Sequence, residues 1–490
     1  MLGLKNGRLA EIKTPLLIVP VCEDHVLHSQ PELVKLIESV GAGGAKAGKK
    51  GESICLAAPA GLAAGMVMLQ GLGKFDKLDA EALRAAAGRA IRFGVKHGLG
   101  SALLVAPAQS EAGLPQERMV AALLEGACLA NHVFDRYLEK KEKKILDTID
   151  CWAGEQAPKL SSQWLHEVET VCSGTLMARD WISMPSNDKR PEAFSRQIAE
   201  AAQAVGLAVT IKDETELAKE GFGGILTVGG GSDFPPRLVV LEHRPAQAKK
   251  TVVLVGKGVT FDSGGINLKP SGSLETMKMD MSGAAAVAAT LITAARLNAD
   301  VHVVGLMPLA ENMPSGRAAR PGDIFKSYSG KTVEIGNTDA EGRLILIDAL
   351  AYGIEQYQPD WIVDIATLTG ACMIALGEKI AGVFSRDDQL ADRIVAAGQK
   401  THERCWRLPL PDDYKSLLDS EFADLHNISS SRYGGAITAA LFLSEFVEKA
   451  RWAHIDIAGP AYHKKAVDYC AAGGAGFGVR LFWELLQEAS

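Results

Sequence analysis

The sequence predicts an α/β protein: a smaller N-terminal α/β domain followed by a larger C-terminal α/β domain whose mixed central sheet is covered by helices. Three observations lead there. Short apolar runs alternate with helix-period segments along almost the whole chain, the pattern of sheets packed between helices. At 490 residues the chain is too long for one ordinary core, so at least two domains are expected. The composition, 47% hydrophobic and 23% charged, is that of a globular protein with enough apolar material for such cores.

In the first third, strands are expected at residues 16–21, 67–72 and 102–106, and helices at 81–97 and 116–137. The apolar stretch 15–21 runs into Cys22, Glu23 and Asp24 rather than a small-residue cleavage site, which predicts a buried strand and not a signal peptide. A polar, charged stretch over 139–163 breaks the pattern, and a helix is expected at 164–181. Met184-Pro185 closes the connection, since the residue before a proline resists helix. The expected limits are therefore an N-terminal domain over 1–163, a linker helix over 164–185 and a C-terminal domain over 186–490. In that last part, strand runs at 238–241, 252–255, 301–307, 361–365 and 454–457 alternate with helices at 276–297, 344–356, 390–401 and 437–450. Strands this apolar are covered on both faces. Ligands of open α/β sheets bind beyond the carboxyl ends of the strands, so the polar residues just after a strand are the ones to weigh.

Several function classes are disfavoured. A net charge of −7 gives no general attraction to polyanions, and the two short basic runs, 46–50 and 140–144, are expected to be solvated surface; both weigh against DNA binding. The longest apolar run, 284–295, ends at Arg296, short of the roughly 20 residues a membrane-spanning helix needs. The eight cysteines are scattered singly, as expected of reduced thiols in a cytoplasmic protein rather than a disulfide frame or zinc-thiolate site.

Unusual chemistry gathers after the strands. The run at 251–255 leads into Gly256-Lys257-Gly258-Val259-Thr260-Phe261-Asp262-Ser263-Gly264-Gly265, placing Lys257 and Asp262 beyond the strand end, in a glycine-rich loop whose backbone can approach a ligand closely. Lys269 follows. In Met277-Lys278-Met279-Asp280-Met281, a carboxylate is flanked by methionines and expected in the first turns of an apolar helix, which is no ordinary surface setting. Asp339 and Glu341, in Asn337-Thr338-Asp339-Ala340-Glu341-Gly342-Arg343-Leu344, share a face only if the backbone there is extended. Four carboxylates in one pocket repel one another unless cations intervene. Oxygen donors without Cys or His favour Mg, Mn, Co or Zn. Two divalent ions would neutralise Asp262, Asp280, Asp339 and Glu341. A lysine among them could be a ligand only as the neutral amine, which at pH 7 costs roughly 4–5 kcal/mol to form and which neighbouring dications favour.

Ordinary alternatives stand beside each motif. Asp262 to Gly265 fits a plain turn, and Thr338-x-x-Glu341 fits a helix capping box. Lys257 between glycines resembles a phosphate loop, yet Thr251 stands where such a loop needs its first glycine and no Ser or Thr follows the lysine directly. A two-metal phosphoesterase is the main competing enzyme class. The joint occurrence of the motifs is what outweighs these.

Together these segments resemble the signatures of the leucyl aminopeptidases, a two-metal family of cytosol aminopeptidases. The resemblance runs on through Thr367-Leu368-Thr369-Gly370 and Ala453-His454-Ile455-Asp456-Ile457-Ala458-Gly459 to Gly476-Phe477-Gly478-Val479-Arg480, covering nearly all of the chain after about Arg179. It implies one metal on Lys257, Asp262, Asp280 and Glu341, and a more exchangeable one on Asp262, Asp339 and Glu341. It implies a hydroxide bridging the metals as nucleophile, Lys269 assisting the oxyanion, and a bicarbonate on Arg343 as proton shuttle. Leu368 and Gly370 would align a peptide substrate by their backbone. Met277, Thr367, Gly370, Ala458 and Ala461 would line a pocket for a leucine-like first side chain. The resemblance further implies a cytoplasmic homohexamer. One departure is visible: Ser183-Met184-Pro185-Ser186-Asn187 stands where the family has Asn-x-Pro-x-Asn, which bears on linker packing more than on the chemistry.

Overall fold

Buried strands of Val, Ile and Leu organise the chain around two separate sheets. A computed structural model describes residues 1–42, 47–140, 144–155 and 161–488. Lys46 and residues 141–143 of the two basic runs, and residues 156–160 of the polar stretch, lie outside the described residues. The chain forms two units, one of residues 1–173 with 463–472, the other of 174–462 with 473–490. The division at Ser173 falls within the helix Ser162–Ser183. The return of 463–472 to the first unit has no counterpart in the sequence pattern.

In the first unit the sheet runs, edge to edge, Leu2–Lys5, Thr148–Trp152, Ser101–Val105, Thr14–Cys22, Ala64–Gly73, Ser53–Ala57. All pairings are parallel except that of the last strand. Asp79 caps the helix Ala80–Lys96 by accepting from the Ala82 amide. The second helix, Gln116–Ala130, stops seven residues short of the predicted end. Asn131 explains this: its side chain exchanges two hydrogen bonds, 2.9 and 2.8 Å, with the backbone of Leu146.

The second unit holds a nine-stranded mixed sheet. Its central strands, Trp452–Asp456, Trp361–Ala366, Thr251–Gly256 and His302–Asn312, are parallel neighbours in that order. An antiparallel strand flanks them on each side, Ala381–Ser385 on one and Arg237–His243 on the other, and Ala208–Lys212 pairs antiparallel with the latter. Two helices cover opposite faces. Gly305 lies against Val287 and Leu291 of the helix Ser282–Arg296, while the next residue, Leu306, lies against Gly353 of the helix Glu341–Tyr357. The main core packs Val253, Val255, Val304 and Leu306 against Leu344, Ile345 and Ile347. From Thr251–Gly256 the chain crosses to one side of the sheet, and from Trp361–Ala366 it crosses to the other. The carboxyl ends of these two adjacent strands therefore frame a topological switch point, where α/β sheets bind their ligands.

Two local expectations are corrected. The segment after Lys257 is not a loop but the strand Gly258–Asp262, which pairs with the end of His302–Asn312, Asp262 opposite Asn312. The helix expected from residue 276 begins at Ser282; Met277–Met279 form a short 3-10 turn, and Asp280 sits between the two. Among the described residues, no helix is long and apolar enough to cross a membrane. All eight cysteines are free thiols.

The fully buried Asp348 ties helix Glu341–Tyr357 to its neighbours by accepting from the amides of Ile225 and Tyr328 at 3.0 and 2.8 Å. Burial pushes its carboxyl up to about 7 despite these bonds. Asp348→Ala strands both amides and is expected to destabilise the protein by about 2–4 kcal/mol in denaturant titration. An unchanged midpoint would contradict that anchoring role.

Candidate metal centre

The strand Thr251–Gly256 delivers Lys257 to the switch point with its backbone fixed from both sides. Its amide donates to the carbonyl of Ile365, and its carbonyl accepts from the amide of Ala284. After Asp262 the chain must reverse at once, and Gly264 and Gly265 adopt φ of 87° and 65°, a region open chiefly to glycine. Asp262 and Ser263 close the turn by accepting from the amides of Gly264 and Gly265. The ordinary turn and the site are thus one structure. Across from it, the Thr338 hydroxyl donates to the carbonyl of Gly264, and its amide donates to Asn267. Thr338 is therefore no helix cap, and the cap position belongs to Ala340. Asp339 lies in a turn and Glu341 opens the helix, so their common side arises from a turn into a helix, not from extended backbone.

These segments bring the acidic side chains together. Asp262, Asp280 and Glu341 are buried, each with a carboxylate oxygen within 4.8 Å of the others'. The Lys257 ammonium stands 2.8 Å from Asp280 and from Glu341, and donates to the carbonyl of Thr367 at 2.9 Å. Lys269 stands 2.9 Å from Asp262 and 2.5 Å from Asp339. Thr367 donates to Asp280 at 2.7 Å, and Asn312 donates to Asp262 at 2.8 Å.

Electrostatics marks the site as short of positive charge. Burial, reinforced by Glu341, raises the carboxyl pKa of Asp262; burial also raises Asp280 well above and Asp339 above the ordinary range, against the pull of the lysines. Burial alone would depress Lys257, but Asp280, Glu341 and Asp262 hold it above its usual value; Lys269 is raised likewise by Asp262 and Glu341. Asp280 Oδ2 and Asp339 Oδ1 are buried and accept no well-directed hydrogen bond, although ammonium groups stand 2.8 and 2.5 Å away. Hard oxygen donors, unsatisfied acceptors and excess negative charge fit divalent cations.

A sequence model of the cytosol aminopeptidase family catalytic domain matches residues 176–483, and that of the family's N-terminal domain matches 18–141. The chain belongs to the cytosol aminopeptidase family. It is a metal-dependent aminopeptidase, a hydrolase of the two-domain architecture described above. The probable cytosol aminopeptidase of Desulfovibrio desulfuricans is 42% identical over 487 residues, covering 97% of each chain. That of Syntrophotalea carbinolica is 44% identical, covering 90% of this chain and 89% of its own. Among solved structures, the bottromycin maturation enzyme BotP in complex with Mn superposes with a TM-score of 0.86 at 35% identity, covering 97% of this chain and 99% of that one.

The structure thus gathers Lys257, Asp262, Lys269, Asp280, Asp339 and Glu341 into one cluster of this aminopeptidase. Thr367 touches that cluster directly. Leu368 and Ala458 meet through Asp456, whose Oδ1 accepts from both amides, each at 3.1 Å. Met277 lies in the 3-10 turn just before Asp280, Gly370 opens a short helix, and Ala461 is buried. Arg343, two residues after Glu341 in the first turn of its helix, donates to the carbonyl of Asn427 at 2.7 Å, while its buried Nε has no hydrogen-bond partner among the described residues. Burial lowers its pKa to about 10.

Sequence reasoning passed over three organisers, Asn312, Asn427 and Asp456. The fully buried Asn427 holds residues 336–343 through the amides of Gly336 and Asn337 and the side chain of Arg343. A buried Asn or Asp amid apolar strand residues was the only signal available.

Gly342 marks a close approach. A Cβ there would lie 2.6–2.8 Å from the end of the Lys257 side chain. Gly342→Ala should therefore leave folding nearly intact but push the Lys257 amine aside. The expected loss of Mn affinity is about tenfold to a hundredfold by calorimetry; unchanged affinity would remove Lys257 from the metal site.

Proposed function

We propose that this aminopeptidase releases leucine-like residues from the N-termini of peptides, with two divalent ions held by Lys257, Asp262, Asp280, Asp339 and Glu341. The observation that carries this reading is the convergence of buried carboxylates with unsatisfied oxygens on two lysines. Lys257, Asp262, Asp280 and Glu341 would hold one ion; Asp262, Asp339 and Glu341 would hold the other. Manganese is the first candidate because BotP, whose structure is so similar, was solved with Mn. When bound, the ions supply Lewis acidity and a nucleophile drawn from water near neutral pH.

The chain's own residues do the rest. Carboxylates by themselves hold Lys257 protonated, so its amine becomes a ligand only under the opposing charge of the ions. Lys269, less buried than Lys257 and charged, donates to the peptide oxygen as negative charge grows there. Arg343 offers its Nε to an anion of bicarbonate type, which when bound would supply a base. The backbone of Leu368, set by Asp456, and that of Gly370 align the peptide. A Cβ at Gly370 would meet nothing within 4 Å; in this reading Thr367, Met277, Ala458 and Ala461 would complete a pocket there for an apolar side chain. A homohexamer in the cytoplasm is part of the same proposal and rests on family membership.

With Mn, the wild-type chain should hydrolyse leucine p-nitroanilide and not p-nitrophenyl phosphate, and a chelator should stop it. Asp339→Ala should keep its fold by circular dichroism and lose activity on the order of a thousandfold. A wild-type rate in that variant would refute the assignment.

A further inference from the structure

The short connection after helix Ser162–Ser183 touches both halves of the metal centre. The last carbonyls of a helix have no intrahelical partner. Here Trp181 and Ile182 accept from the side-chain amine of Lys189, at 2.8 Å each, and Ser183 accepts from that of Lys278 at 3.0 Å. Lys189 is fully buried, and its third contact is the sulfur of Met281 at 3.4 Å. Lys278 and Met281 flank Asp280 in sequence, so the turn that carries Asp280 is tied on both sides to one helix end. Ser186, between them in the connection, donates to the carbonyl of Thr260 at 2.8 Å, two residues before Asp262.

We propose that residues 181–189 are a brace for the metal ligands, with Lys189 and Ser186 as positioning residues that set the spacing between Asp280 and Asp262. The proposal rests on the reading that these two carboxylates hold metal. Asp280 lies between a short 3-10 turn and the start of helix Ser282–Arg296, and Asp262 ends a short strand. The brace ties both segments to the end of helix Ser162–Ser183. This gives the stretch Ser183 to Asn187 a bearing on the chemistry and not only on packing. Ligand positions supported from outside the coordinating set commonly govern metal affinity by about tenfold or more.

The test compares Mn binding by calorimetry with thermal unfolding of the metal-free chain, for Lys189→Met, Lys189→Arg, Ser186→Ala and Asp280→Asn. Lys189→Met should lower Mn affinity about tenfold, more than Lys189→Arg. Ser186→Ala removes one hydroxyl, should fold as wild type, and should still weaken Mn binding several-fold. In both, kcat at saturating Mn should fall while KM for leucine anilide stays close to wild type. If Lys189→Met fails to fold, Ser186→Ala alone decides. Folded variants that bind Mn like the wild type, whatever their melting temperature, overturn the brace. If Asp280→Asn also binds Mn like the wild type, the metal-site reading itself fails; if it does not, only the brace is lost.

Discussion

Three fully buried carboxylates and a fourth at their edge set the terms for the rest of the catalytic unit. Burying one carboxylate without a partner costs several kcal/mol, and the cost grows when its neighbours carry the same sign. Lys257 and Lys269 answer part of this, each bridging two carboxylates within 3 Å. Two cations face four acidic groups, and Asp280 Oδ2 and Asp339 Oδ1 meet theirs without a well-directed hydrogen bond. A cluster so poised is held together more by what it takes up than by its own contacts, which is the usual relation between a metal site and its apo chain.

The sheet makes this concentration possible. Strands Thr251–Gly256 and Trp361–Ala366 end side by side, and their onward connections leave in opposite directions, bringing Lys257 and Thr367 together at the switch point. Asp280 and Glu341 stand at the starts of two helices on opposite faces of the sheet, where the partial positive charge of the helix ends favours an anion. Asn312, Asn427 and Asp456 then fix loops from different strands to one another. Rigid strand and helix ends, cross-tied by buried polar side chains, hold the geometry.

Much of this was legible in the sequence. Every predicted strand is present, because apolar runs buried on both faces leave little ambiguity. Asp280 among methionines, and Asp339 with Glu341 before an apolar helix, stood out because buried acids are costly unless used. The limits were tertiary. Residues 276–281 have a helical pattern, yet the pull of Lys278 to Ser183 and of Asp280 to Lys257 and Thr367 holds them in a separate turn. Gly258–Asp262 looked like a loop because its partner strand, around Leu309, lies some fifty residues away. Asn427 meets Arg343 across 84 residues of sequence, a contact no local pattern reveals.

The central claim is that Lys257, Asp262, Asp280, Asp339 and Glu341 surround two divalent ions. Anomalous diffraction at the manganese edge, from crystals of this chain grown with Mn, tests it most directly. The account predicts two peaks, both within about 2.5 Å of Asp262 and Glu341 oxygens, with the Lys257 nitrogen at ligand distance from one. Peaks elsewhere, or carboxylates still paired to both lysines with no metal between them, would contradict it.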